Sequence, residues 1–237
     1  MRVIDAFWER ESLGLSAAEI LIEGSDTPDG VLNQLSDVDA EYQVAKLPAG
    51  RMDLSETLRQ AGFSFSEGLL ALSIPVDDPA STAAGEASDY SLMTEVEEVQ
   101  LEQVILAGLF ATDRISNDSN FTPMQAARRY LRWIKDEKGR GADLLALQHA
   151  GQTVGFVLIR KVDEKTCHSY LVGIYPEFGG RGLSDLIVSS GRQYARSKGC
   201  SLLTTSVSAN NLGSLRAHFK AGYLPTSVQY VFVKHAG

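Results

Sequence analysis

Between Tyr175 and Val188 the chain reads YPEFGGRGLSDLIV, and this stretch restricts the possible folds more than any other. A strand ends near Ile174. Gly179, Gly180 and Gly182 then form a turn, and a helix opens behind them with Leu183, Leu186, Ile187, Ser190 and Tyr194 on one face. Glycine lets the backbone take positive φ and lets a ligand approach closely. The helix start adds unpaired N–H groups and the positive end of a dipole, so the stretch has the makings of a pyrophosphate cradle. The glycines alone admit a plainer reading, an αL turn before a helix. A Walker loop is excluded, because no Gly-Lys-Ser/Thr follows. A dinucleotide fingerprint fits badly, because the strands before the turn are joined by tight hairpins.

The surrounding pattern supplies the rest of the fold. ADLLALQH and TVGFVLIR are separated by Ala150, Gly151 and Gln152, and a third strand follows from about Cys167 to Ile174. Before them stand two helices, Glu95 to Phe110 and one opening at Thr122, where Pro123 and Gln125 complete a capping box. After them come a helix from about Ser184 to Arg196, a strand from Leu202, a helix from about Asn211 to Lys220 and a strand from Val228. That order predicts an α+β fold, a mixed and mostly antiparallel sheet flanked by helices. Asp77 to Ser91, DDPASTAAGEASDYS, has linker composition. It divides a small α/β segment, 1–76, from a larger domain, 92–237. The front segment carries a helix from Asp53 to Phe63 and a strand from Leu69, too little for a strong core of its own, so it is expected to pack on the larger domain. ETLRQAGF, ending at Phe63, echoes SLRAHFKAGY, ending at Tyr223. Ordinary helix capping explains this; the alternative is that the front is a partial copy of the back.

Net charge is −8, which argues against nucleic acid or an anionic membrane as partner. The two cysteines, Cys167 and Cys200, make no disulfide framework and read as packing residues of a reducing compartment. There is no Cys/His spacing for a metal, no signal peptide, and no apolar run long enough to span a bilayer. A soluble, cytoplasmic protein is expected.

The glycine turn resembles motif A of the GCN5-related N-acetyltransferases (GNAT), roughly V-x-P-x-Y/F-R/Q-G-x-G-x-G/A. Pro176, Phe178, Gly180 and Gly182 match; Gly179 and Ser184 depart from it. NLGSLRAHFKAGY resembles motif B, with Asn211, Ser214, Gly222 and Tyr223 in register. Together they cover approximately Asp143 to Lys234. The resemblance implies acetyl-CoA as co-substrate, no metal, and direct transfer to a primary amine in a ternary complex. It places the cofactor against Val172, Gly173 and Ile174, against Gly179, Gly180, Arg181, Gly182, Leu183 and Ser184, and against Asn211 and Ser214. A backbone N–H near Val172 to Ile174 would polarise the thioester carbonyl. Where the family usually has a tyrosine that protonates the leaving thiolate, this chain has His218, seven residues from Asn211 and on the same helix face. A histidine without a catalytic role is the alternative, as is a purely capping Asn211.

The front half and the block from Phe110 more weakly resemble the two-part dTDP-fucosamine acetyltransferase-like branch, through Trp8, Gly14, Phe110, Arg114, Phe121, Tyr130 and Trp133-Ile134. That would imply a nucleotide-linked amino sugar as acceptor. Arg114 is the candidate diphosphate contact, and Tyr170 a further acceptor contact. Packing is the alternative for the aromatic residues. Other acceptors stay open: a small amine, an amino acid or a protein N-terminus. So does a non-catalytic acyl-CoA-binding or interaction protein, and so does a homodimer.

Overall fold

A computed structural model describes residues 1–77, 90–94 and 96–236, so most of the expected linker lies outside the described residues. The front segment contains β1 (Arg2–Asp5), α1 (Phe7–Leu13), β2 (Ala17–Leu21), α2 (Pro28–Leu35), β3 (Tyr42–Pro48), α3 (Met52–Gln60) and β4 (Ser64–Pro75). The rest contains β5 (Tyr90–Met93), α4 (Glu98–Leu106), α5 (Pro123–Gly139), β6 (Asp143–His149), β7 (Gln152–Lys161), β8 (Thr166–Ile174), α6 (Ser184–Ser197), β9 (Leu202–Ser208), α7 (Leu212–Lys220) and β10 (Leu224–His235). The helices and strands expected from the later sequence are all present. Those of the first 50 residues, together with β5, had not been anticipated. Their apolar runs are short, and α1 carries three charges in seven residues.

All ten strands form one sheet in the order β1-β2-β3-β10-β4-β9-β8-β7-β6-β5. Only β2–β3 and β8–β9 run parallel among the described pairings, so the sheet is mixed and mostly antiparallel. Alternation along each strand loads both faces. Leu144, Phe156 and Leu158 meet α4 and α5 through Ile105, Tyr130 and Ile134. Leu145, Val157 and Ile159 share a core with Tyr194 of α6 and Leu215 of α7 on the other face. Leu47, Leu54, Leu58 and Phe232 tie α3 to the front of the sheet. Each such side chain, fully buried, contributes roughly 1.5–3 kcal/mol before the entropy of ordering it.

The echo between the halves is structural. The boundaries of β3, α3 and β4 recur in β9, α7 and β10, each displaced by 160 residues. Local bonds recur as well. Phe63 N–H donates to Leu58 O and Tyr223 N–H to His218 O; Ala49 N–H donates to Val228 O and Ala209 N–H to Gly68 O. Gly62 and Gly222 both close their helices at positive φ, 87° and 91°. The repeats exchange their last strands. β10 lies between β3 and β4, and β4 lies between β10 and β9, with Leu69 opposite Gln229 at the centre.

Two glycines let β7 and β8 approach beside the site. A Cβ on Gly155 would stand 2.1 Å from the carbonyl oxygen of Gly173. Gly155→Ala is therefore expected to destabilise the chain by about 1–3 kcal/mol, seen as a thermal midpoint several degrees lower. An unchanged midpoint would mean that the two strands separate freely here.

Candidate active site

The parallel pairing of β8 with β9 stops at Ser169 and Thr205. β7 goes on holding β8 as far as Ile174, and β4 goes on holding β9 as far as Ser208. Beyond Ser169 the facing edges of β8 and β9 therefore diverge and leave a V-shaped opening in the sheet, floored by main chain. Val172 is half-buried and lines a cavity there; Gly173 is buried under Leu109, and Ile174 is half-buried.

At the end of β8 the chain makes a single 3₁₀ turn, Pro176–Phe178, and then the glycine turn. Gly180 and Gly182 have φ of 73° and 76°, and a Cβ on either would meet nothing within 4 Å. Residues 179–182 are exposed. The Arg181 guanidinium lies 5.3 Å from the centre of the Phe178 ring, so its side chain packs to one side. Leu183 is the N-cap of α6 and makes no side-chain capping bond, so the first N–H groups of the helix lack that partner. Ser184 begins α6, and its side chain is outside the described residues. The turn is open and suits an anionic ligand approaching the main chain.

Across the opening stands α7. Asn211 is its N-cap, with Oδ1 accepting from Ser214 N–H at 3.0 Å. His218 is buried, and its Nδ1 lies 2.8 Å from Ser214 O. A carbonyl only accepts, so Nδ1 carries the proton and Nε2 the lone pair of the neutral ring. Burial lowers the pKa of His218, so the neutral ring dominates near pH 7 and the imidazole starts as a proton acceptor. Its edge packs on Tyr223 at 4.9 Å.

Asn211, Ser214, His218, Val172 and Tyr170 all line one cavity of about 520 Å³. The glycine turn lies outside its wall, so the structure groups the expected residues into two adjoining parts. The cavity reaches well into the front half, where Trp8, Glu19, Lys46, Glu67 and Leu69 join the lining. Tyr170 accepts from Arg160 Nη2 at 2.5 Å and packs on His168. Arg114, the expected diphosphate contact, lies in the loop between α4 and α5 but is only 8 % exposed, and its Nη2 donates to Glu9 Oε1 at 2.5 Å. It borders the cavity with its charge already engaged.

Sequence reasoning missed Glu67. It sits on β4, in phase with Leu69, and pairs across the ladder with Val231. The side chain is 6 % exposed, and Oε2 has no hydrogen-bond partner among the described residues. Burial raises its pKa, against a hydrogen bond from Ser208 and the pull of Arg114. The readable signal was an acid two residues before the apolar run at Leu69, provided the strand is extended back to Ser64.

Residues 110–223 match the acetyltransferase (GNAT) family. Over 229 residues the chain is 24% identical to a dTDP-fucosamine acetyltransferase of Escherichia coli O6:H1, covering 94% of this chain and 93% of that protein. It is 28% identical over 102 residues to a mycothiol acetyltransferase of Corynebacterium glutamicum, spanning 33% of that protein's length. A solved tandem GNAT protein from the clavulanic acid biosynthesis pathway has a similar fold, with TM-score 0.59 at 14% identity, over 94% of this chain and 78% of that one.

At Gly182 a branched side chain must adopt a φ that costs it about 1–3 kcal/mol and must project over the open turn. Gly182→Val is expected to weaken CoA binding at least about tenfold in a calorimetric titration, with a thermal midpoint lowered by the few degrees that this strain implies. Equal affinity would put the phosphate site elsewhere.

Proposed function

We propose that the chain, whose residues 110–223 match the GNAT acetyltransferase family, acetylates the amine of a nucleotide-linked amino sugar, using acetyl-CoA. The observation that carries the acceptor reading is Glu67, a buried carboxylate on the cavity wall with one oxygen unpartnered. An unmade hydrogen bond on a buried group is costly, and an ammonium group supplies the missing donors.

Acetyl-CoA, when bound, supplies the thioester carbonyl and the sulfur leaving group. The exposed main chain of Gly180, Arg181 and Gly182 and the start of α6 would hold its pyrophosphate, with Asn211 and Ser214 beside its pantetheine arm. An N–H on the free edge of β8, near Val172, would hydrogen-bond the carbonyl oxygen as it gains charge. Glu67 takes one proton from the ammonium, which frees the lone pair for attack. His218 accepts at Nε2 the second proton that nitrogen gives up, and returns it to the departing sulfur. The proton donor expected from the sequence is thus loaded by the reaction itself.

Three features support a ring-bearing, anionic acceptor. The dTDP-fucosamine relative aligns over both halves. The cavity walls carry Trp8, Phe110, Tyr130, Trp133 and Tyr170, faces on which a base or sugar stacks. Arg132 and Arg140, less buried than Arg114 and Arg129, also line the cavity of a chain whose net charge is −8. Arg140, half-exposed and paired with Glu137 at 2.7 Å, is better placed than Arg114 to meet a diphosphate. In this reading 92–237 is the catalytic half and 1–76 completes the acceptor site. Two buried cysteines that remain thiols, their sulfurs 3.2 Å apart, suit a cytoplasmic setting, and no described helix is long and apolar enough to cross a membrane.

Glu67 works as a base only when ionised, and burial raises its pKa. Activity should therefore rise with pH through a midpoint above the ordinary carboxylate range. Glu67→Gln is expected to lower kcat by about a hundredfold or more, to abolish that acid limb and to spare CoA affinity. Turnover at the unmodified rate would remove Glu67 from the chemistry.

A further inference from the structure

Glu9 is the most deeply buried acid among the described residues, at 1 % exposure, and it belongs to α1 of the front half. Its partners come from the other half. Oε1 accepts from Arg114 Nη2 at 2.5 Å and Oε2 from Arg129 Nε at 2.7 Å, while Arg129 Nη1 donates to Asp113 Oδ2 at 3.1 Å. Two cations and two anions thus balance in a closed group. Burial alone would raise the pKa of Glu9, but the attraction of Arg129 and Arg114 overrides it and holds the carboxyl at about 2.

Arg114, Arg129 and Asp113 border the cavity together with Glu67, whereas Glu9 stands behind them and is not part of the wall. We infer that Glu9 is a positioning residue: its carboxylate neutralises Arg114 and Arg129, and so sets the field in which Glu67 meets the acceptor amine. The inference rests on the role proposed for Glu67 and extends it to a residue that touches neither substrate. Two uncovered guanidinium groups would hold Glu67 ionised too firmly for efficient proton exchange, and would draw the acceptor's anionic group toward the amine pocket.

The groups facing Glu67 are defined. Asp113 and Arg114 approach from the segment between α4 and α5, Arg129 from α5 and Ser208 from β9. Lys46 of β3 lies one strand further, across Val231, and is paired with Glu19 of β2 at 3.0 Å. Tyr42 of β3 is kept un-ionised by burial, its pKa pushed up to about 12. His218 of α7 lines the same cavity and is neutral near pH 7. Within this set the Glu9 group holds two cations against two anions, with Arg114, Arg129 and Asp113 on the wall and Glu9 behind it.

The test is the carboxyl ¹³C resonance of Glu67 in the full chain, assigned by its loss in Glu67→Gln and followed against pH. Glu9→Gln leaves two guanidinium groups against Asp113 alone, which favours the ionised form. The midpoint should fall by about one pH unit, a tenfold change in the protonation equilibrium. Arg114→Gln leaves an excess of negative charge and should raise the midpoint by a similar amount. The double variant Glu9→Gln/Arg114→Gln restores the balance and should titrate near the unmodified chain. Should Glu9→Gln not fold, Arg114→Gln and the double variant still give opposed expectations. A midpoint that stays put, or that moves the same way in Glu9→Gln and Arg114→Gln, overturns the inference. Opposite shifts together with full turnover in Glu67→Gln would keep the charge coupling and remove the catalytic role of Glu67. An unmoved midpoint with an inactive Glu67→Gln would do the reverse.

Discussion

The exchange of last strands between the two repeats is the constraint on which the structure depends. β10 closes the front half by bonding to β3, and β4 closes the back half by bonding to β9. Withdrawing either strand would leave an unpaired edge in the middle of a ten-stranded sheet. The exchange also delivers chemistry. Glu67 reaches the cavity because it rides on β4, two residues from Leu69 at the centre of the exchange. A front segment merely tethered beside the back half would not present that carboxylate next to the opening between β8 and β9.

The buried charges follow from the same arrangement. α1 lies against α5, so Glu9 meets Arg129 and Arg114 away from water. Such groups are weak evidence for net stability, since desolvation offsets most of the attraction, yet removing one partner costs about 3–5 kcal/mol. Placed at a cavity wall, they also act on the neighbouring charges. Arg114 illustrates this: from its loop position it reads as a free cation, whereas in the fold it is one of four charges that balance.

Much of the back half was legible in the sequence. The capping box at Thr122, the hairpin at Ala150 and Gly151, and the glycine turn before α6 are local features, and local chemistry fixes them. Asn211 and His218 could be placed on one side of α7 from spacing alone. The front was less legible because its strands are short and its α1 is charged; their stability comes from the sheet they join. The 160-residue repeat was visible only as Ala-Gly-aromatic after a helix, since packing, not identity, preserves it. Glu67 and Glu9 escaped notice for one reason: each gains its role from partners more than 40 residues away.

Transfer itself is the most direct test of the account. The chain would be incubated with acetyl-CoA labelled in its acetyl group and with nucleotide-linked amino sugars, and the acceptor weighed by mass spectrometry while free thiol is counted. The account predicts one labelled acetyl group on the acceptor amine for each thiol released. Acetyl-CoA left intact in the presence of these acceptors and of simple amines, although CoA binds, would contradict it.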